Sequence, residues 1–380
     1  MAPEARQVFD TEMMRIALRM AERGLGTTAP NPAVGAVIAD ERTGEVIARG
    51  WTSPRGRPHA EPQALLRAGH RARGATMYVT LEPCSHHGMT PPCADAIANA
   101  GIGRVVCAIE DPDPRVAGSG LARLRQAGVA TERGVLAEAA HWLTAGHILR
   151  VTERRPFITA KLALDATGAV PRGNSGQPQW ATGPAARAAG HLLRARADAI
   201  LVGRRTVLDD DPLLTCRLPG LEGRSPIRVV LARDLGGLEA SRLVNTARQR
   251  PTWVMCAEAS DASHLDATGV EIIRSRTVDG RLWLPAAMES LVARGVTRVL
   301  IEGGAATWSA FSRAGLIDEV VLFRAEGATR EASRETVLAA LSRYVEVAGF
   351  DIYDRRTMGG DDMLTLRRQW HRGDHRMRRQ

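Results

Sequence analysis

Along this chain the apolar positions switch between helical spacing and short strand-like runs. In TEMMRIALRMAERG (11–24), Met14, Ala17, Leu18 and Ala21 recur at helical spacing behind Asp10, which predicts a helix capped by that aspartate. AVGAVIA (33–39) and EVIARGW (45–51) predict paired strands, and AEPQALLRAGHR (60–71) a helix. ATMYVTL (75–81) and RVVCAIE (104–110) are strand-like, with the helix ADAIANAG (94–101) between them. GLARLRQAG (120–128) and VLAEAAHWLTAGHILR (135–150) add further helices. Strands separated by single helices imply a mostly parallel sheet with helices on both faces.

The polar stretch TERRP (152–156) interrupts this pattern and ends in proline. Alternation then resumes with FITAKLA (157–163), a helix over 184–196, DAILVG (198–203), PIRVVLA (226–232) and TWVMCA (252–257). It continues through VEIIRS (270–275), RVLIEGG (298–304), EVVLFRA (319–325) and a closing strand at DMLTLRR (362–368). A chain of 380 residues exceeds one ordinary core. The expected organisation is two α/β domains, 1–151 and 157–370, a linker over 152–156 and a basic, disordered tail over 371–380. The halves share no repeat, so they read as a fusion rather than a duplication.

Composition narrows the function classes. Hydrophobic content of 44% and charged content of 24% suit a soluble globular protein. Runs such as AVGAVIA fall far short of a membrane span, and MAPEARQVFD lacks a secretory pattern, so a cytoplasmic protein without a membrane partner is expected. The net charge of +9 raises nucleic-acid binding. The tail HRGDHRMRRQ, with four arginines against one aspartate, supplies +3 of that +9, and aromatics amount to only 4%, so no nucleic-acid partner is expected. Arginine supplies every basic side chain except Lys161. Lysine differs from arginine in offering a compact ammonium that loses its proton more readily, which marks Lys161 for attention.

The five cysteines, Cys84, Cys93, Cys107, Cys216 and Cys256, are an odd set in a chain read as unexported, which argues against a disulfide framework. TLEPCSHHGMTPPC (80–93) is then a metal site or a proline-rich turn. Upstream, RPHAEPQAL (57–65) places His59 and Glu61 around one alanine at the start of a helix. His-x-Glu followed by Pro-Cys and a second cysteine fits the logic of zinc deaminases. His59, Cys84 and Cys93 would hold zinc and leave a fourth position for water, whose pKa the metal lowers. Glu61, not needed as a ligand, would take the water's proton and deliver it to departing ammonia. His86 and His87 are surplus to this set, and Cys107 reads as core.

HAE, TLEPCSHHGMTPPC and EDPDPRVAGSGLARLRQAGV (110–129) resemble the deaminase half of the bacterial bifunctional riboflavin-biosynthesis deaminase–reductase family. The resemblance implies an N-terminal cytidine-deaminase-like three-layer α/β/α domain with one zinc ion. It also implies hydrolytic deamination of 2,5-diamino-6-(5-phosphoribosylamino)pyrimidin-4-one, with Asn31 in NPAVG facing this small-molecule substrate. Thr52 stands where the family has His, and Met89 where it has Lys or Arg, leaving Arg55, Arg57 and His86 as basic candidates for the ribose phosphate.

QWATGPAARAAGHLLRARADAILVGRRTVLDDDPLLTCR (179–217) resembles the reductase half of the same family, a dihydrofolate-reductase-like α/β domain that uses NADPH to convert the ribosyl side chain to ribityl. By matching position, the resemblance places Lys161 and Asp210 near the reacting sugar and nicotinamide. It puts Ala163, Trp180, Thr206 and Asp210 at the cofactor, and Arg194, Leu214, Arg217 and Glu302 at the substrate. IEGGAATW (301–308) reads as a strand, two glycines and a helix, whose N–H groups at Gly304, Ala305, Ala306 and Thr307 would hold a cofactor phosphate. No G-x-G-x-x-G fingerprint is present, so a standard dinucleotide fold is not expected. LDATGAVPRG (164–173) replaces the family's usual Asp-Gly and basic residue, and Pro178 replaces a usual Ser. The family likeness also implies a homo-oligomer.

Overall fold

The computed structural model describes residues 2–87, 91–114, 116–170, 181–325 and 334–369. Met89, Pro178, Trp180 and the tail over 371–380 lie outside the described residues. The chain divides into two compact units, Met1–Arg154 and Arg155–Gln380.

The first unit runs α1 (Pro3–Glu22), β1 (Gly35–Asp40), β2 (Glu45–Trp51), α2 (Ala60–Ala68) and β3 (Thr76–Val79). It continues through α3 (Cys93–Asn99), β4 (Arg104–Cys107), α4 (Ser119–Gln126), β5 (Ala130–Arg133) and α5 (Ala137–Thr152). The sheet order is β2-β1-β3-β4-β5. β1 pairs antiparallel with β2 and β3, whereas β3–β4 and β4–β5 are parallel, so the expected mostly parallel sheet is corrected here to a mixed one. The short turn between β1 and β2 allows only a hairpin, because a parallel return needs a crossover.

Two glycines fix the layers. Gly35 and Gly50 occupy adjacent rungs of the β1–β2 ladder and therefore face opposite sides of the sheet. A Cβ at Gly35 would fall 1.9 Å from the Ala17 carbonyl oxygen of α1, and one at Gly50 2.1 Å from the Ala60 carbonyl oxygen of α2. Helices thus press against both faces at contact distance, closing a three-layer core.

Helix α1 begins at Pro3, so Asp10 lies inside it and is not its cap. The residues before Asp10 lacked an apolar period because they face solvent, as Val8 does at 62% exposure. Asp10 is buried and bound to the Arg104 guanidinium at 2.6 and 2.9 Å, and the Tyr78 hydroxyl donates to it at 2.7 Å. Burial raises the Asp10 carboxyl, but the bonds from Arg104 and Tyr78 outweigh it and hold the group below its ordinary value. The resulting stabilisation is present above the usual carboxylate range and is lost as pH falls through the lowered value.

The second unit opens with β6 (Phe157–Leu164), α6 (Pro184–Ala195), β7 (Ala199–Gly203), α7 (Arg204–Asp210), β8 (Ile227–Leu231) and α8 (Arg242–Asn245). Next come β9 (Thr252–Ala257), β10 (Glu271–Ser275), the short pair β11 (Thr277–Val278) and β12 (Arg281–Leu282), and α9 (Leu284–Ala293). It closes with β13 (Arg298–Ile301), α10 (Ala305–Arg313), β14 (Glu319–Arg324), α11 (Arg334–Leu341), β15 (Phe350–Met358) and β16 (Asp361–Arg368). Its main sheet is ordered β10-β9-β8-β7-β13-β6-β14-β16-β15, parallel as far as β14 and antiparallel beyond. β15, absent from the sequence reading, is an edge strand whose charged residues obscure any alternation. β13 enters between β6 and β7, which brings the C-terminal ends of three strands from distant segments together.

At the start of β6, fully buried Asp318 receives two bonds from Arg155, at 2.7 and 2.9 Å, and one from the Ile158 N–H at 2.9 Å. Asp318→Ala removes all three acceptor contacts. The expected cost is about 3–5 kcal/mol, read as an earlier melting transition of the second unit alone.

Candidate functional site

His59 precedes α2 in extended backbone, and Glu61, 3% exposed, sits in that helix's first turn. Cys84 lies in the loop after β3, and Cys93 is the first residue of α3 behind Pro91 and Pro92. His59 Nδ1 is 3.3 Å from Cys93 Sγ and 3.9 Å from Cys84 Sγ, and all three ligand atoms lie within 4.8 Å of one another. Tetrahedral bonds of about 2.0–2.3 Å set ligand atoms roughly 3.5 Å apart, so this nitrogen-and-two-sulfur set fits zinc with one position open.

The electrostatics agree with metal binding. The Cys93 thiol and backbone N–H, the latter at 3.3 Å, both donate to Cys84 Sγ. The thiol bond from Cys93, reinforced by His59, draws Cys84 down to about 4, while that shared proton and burial push Cys93 up. The hydrogen bond to Cys84 raises His59 against the effect of burial, and burial raises the Glu61 carboxyl. Among the described residues this is the sole His/Cys/Asp/Glu grouping with such convergence.

The other residues singled out in this unit separate cleanly. His86 and His87 are exposed in the loop beyond Cys84 and do not join the ligand set. Cys107 is fully buried and donates to the Ile109 carbonyl at 3.0 Å. Asn31 packs against Gly56, where an added Cβ would fall 1.8 Å from its Nδ2. This contact joins the loop before β1 to the segment leading into His59. Thr52 is buried, and its hydroxyl accepts the Val34 N–H at 2.9 Å, fastening two backbone segments.

In the second unit, a cavity of about 210 Å³ is lined by Lys161, Ala163, Arg194, Arg217, Glu302 and their neighbours. Lys161 and Ala163 share the face of β6 that alternates with its buried residues. Glu302 follows β13, and Arg194 from α6 grips it bidentately at 2.7 and 2.8 Å while also donating to the Thr215 carbonyl at 2.9 Å. Burial alone would raise the Glu302 carboxyl; Arg194 and Lys161 overcome it and hold the group at about 2. Lys161 Nζ stands 3.9 Å from Glu302 Oε2 and 5.8 Å above the centre of the Phe323 ring. An ammonium is thus aimed by a carboxylate that remains ionised.

Beside this cavity, the ends of β7 and β13 pack closely against Thr307. A Cβ at Gly203 would meet Thr307 Oγ1 at 2.7 Å, one at Gly303 would meet Thr307 Cβ at 2.7 Å, and one at Gly304 would stand 3.9 Å from Thr206 Oγ1. Gly304 is the residue preceding α10, whose first turn contains Ala305, Ala306 and Thr307. Thr206, Gly304 and Thr307 are therefore neighbours, but the Thr307 N–H, expected to hold a cofactor phosphate, is turned inward onto the Gly304 carbonyl at 2.9 Å, which corrects its place in that set. Asp210 is exposed at the end of α7, outside the cavity lining. Leu214 is buried with Val207, Val230 and Leu238, which leaves its backbone, at φ 53°, as its means of reaching a ligand.

Residues 7–109 match the cytidine and deoxycytidylate deaminase zinc-binding region, and residues 156–326 match the RibD C-terminal domain. The riboflavin biosynthesis protein RibD of Escherichia coli is 37% identical over 94% of this chain and 99% of its own length. The chain belongs to the RibD family. The RibD protein of Aquifex aeolicus is 38% identical over 83% of this chain and 86% of its own. RibD from Acinetobacter baumannii superposes with a TM-score of 0.79 at 31% identity, covering 96% of this chain and 100% of that one. A deaminase–reductase of Thermotoga maritima gives a TM-score of 0.78 at 32% identity, with the same coverage.

As a RibD protein, the chain is a bifunctional deaminase and reductase of riboflavin biosynthesis, with a zinc-binding first unit and a reductase unit that uses NADPH. Arg187 and His191 also line the RibD reductase cavity, and the sequence reading passed over both. Their signal was present: Arg187, His191 and Arg194 recur at helical spacing along one face of α6. No helix among the described residues is long and apolar enough to cross a membrane.

Proposed function

We propose that residues 1–151 deaminate the diaminopyrimidine ribosyl phosphate named above and that residues 157–370 then reduce its ribosyl side chain to ribityl. The convergence of His59, Cys84 and Cys93 beside buried Glu61 carries this reading. These three residues would hold zinc, which would supply water activation at neutral pH. Glu61, its carboxyl raised by burial, takes the proton of the attacking water and gives it to the leaving amine, so that ammonia departs as the ring carbon gains oxygen. Asn31 orients the substrate.

In the second unit NADPH, when bound, would supply the hydride for the sugar carbon. Lys161 donates to the sugar oxygen on which charge develops, and Glu302 with Arg194 holds that ammonium in place. Arg217 adds positive charge for the phosphate, while Thr206 and the backbone from Gly304 to Ala306 support the cofactor phosphate. Asp210 and Leu214 belong to the same site through the family likeness, which also supports an oligomer in the cytoplasm; sedimentation velocity tests the oligomer.

The test is the product mass after the zinc-loaded chain meets substrate and NADPH. An amino-to-oxo exchange plus two added hydrogens is expected. Chelating the metal should abolish the exchange yet leave reduction of pre-deaminated substrate intact. Exchange alone would leave the second unit without this activity. Buried Thr52, its hydroxyl engaged with Val34 where the family presents a histidine, favours a related pyrimidine or purine as the alternative substrate, to which an unchanged mass would point.

A further inference from the structure

Glu82 lies two residues before Cys84, takes no part in the chemistry assigned above, and is only 3% exposed. Its Oε1 accepts the N–H groups of Gly120 at 2.9 Å and Leu121 at 3.1 Å. Its Oε2 accepts those of Gly118 at 2.9 Å and Asp111 at 3.2 Å. A buried carboxylate is costly unless its lone pairs are met, and here four backbone amides from one segment, 111–121, meet them.

The same segment touches the metal set by independent routes. A Cβ at Gly120 would fall 2.0 Å from the Pro83 carbonyl oxygen, so backbone rests directly on the peptide leading into Cys84. On the far side of Cys84, the Ser85 and Ser119 hydroxyls are 2.6 Å apart, and Arg123 donates to the Ser85 carbonyl at 3.1 Å. Arg123 also grips Asp95 at 2.5 and 2.8 Å in α3, the helix that Cys93 begins. Residues on both sides of Cys84 and the helix of Cys93 are thereby clamped to one platform.

We infer that Glu82 is a positioning residue for the metal centre: by binding segment 111–121 it fixes the Pro83–Cys84 peptide and sets the two sulfurs at their bonding separation before metal arrives. Without that anchor, binding must itself order the loop, and affinity falls by the ordering cost. The inference rests on the zinc role of His59, Cys84 and Cys93.

The experiment measures zinc affinity of the full chain by competition with a chromophoric chelator, in wild type, Glu82→Gln and Gly120→Ala. Glutamine keeps the volume but turns an amide NH2 toward two of the backbone donors. Alanine at 120 spares the carboxylate and displaces Pro83 directly. Both variants should bind zinc about 10–100-fold more weakly. Reduction of pre-deaminated substrate, in the separate second unit, should be unchanged and reports that this unit is intact, while a cooperative melting transition of the first unit reports that it is folded. Affinity within about threefold of wild type in either folded variant, even with a lowered melting temperature, would reduce Glu82 to a structural role and overturn the inference. If Glu82→Gln fails to fold its first unit, Gly120→Ala alone decides. A wild-type chain that binds no zinc at this site overturns the zinc reading instead.

Discussion

Glu61→Gln should slow deamination by about 100- to 10,000-fold while the chain keeps its zinc and its reductase rate. The substitution is nearly isosteric at a position 3% exposed, so the fold around α2 has little to rearrange. What disappears is a proton carrier, because a glutamine amide neither accepts the water's proton nor returns it to the amine. Steady-state deamination, zinc stoichiometry and NADPH oxidation on pre-deaminated substrate separate these effects. A variant within about tenfold of wild type would assign proton transfer to another group. Loss of zinc along with activity would make Glu61 a support for the ligand set rather than the proton carrier.

Lys161→Ala should lower the reductase turnover by about 100- to 1,000-fold and leave deamination untouched. Lys161 is the only lysine in the chain, and its ammonium is 3.9 Å from Glu302. Arg194 cannot take its place, since it is committed to Glu302 and the Thr215 carbonyl. Removal of Lys161 would therefore take away the donor proposed for the sugar oxygen without removing the Arg194–Glu302 pair. Because the step lost is in the transition state, kcat should fall more than KM rises. A pure rise in KM would make Lys161 a binding group, and an unchanged rate would place the chemistry elsewhere in the cavity. The Glu302 carboxyl, held at about 2, stays ionised across the working range and gives no acid limb to the pH profile near neutrality.

The cluster of His59, Cys84 and Cys93 was legible because zinc chemistry restricts residue types to His and Cys at strand ends and helix starts, which a single sequence displays. Lys161 was singled out through composition and family likeness together, and the structure places it in the wall of the cavity. Asp10 was misread as a cap because its partners, Arg104 and Tyr78, lie far along the chain, and local pattern reports only local contacts. Glu82 was invisible as a hub for the same reason: its acceptors serve backbone amides, which carry no residue code. The mixed order of the first sheet escaped because helix–strand alternation was taken as a guide to strand direction. The charged edge strand β15 has no buried face continuous enough to leave a period.

The placement of β6 has a consequence for how the protein comes into being. The first strand of the second unit pairs with β13 and β14, two of the later strands of that unit. On the ribosome β6 must wait, with both edges open, until most of the unit has been made, whereas every strand of the first sheet has emerged by Arg133. The nascent chain thus carries a finished deaminase tethered to an unfinished reductase, and the lysine-bearing strand is the one longest exposed to mispairing. A translation arrest before β13 would yield the first activity without the second, an imbalance set by topology rather than by regulation.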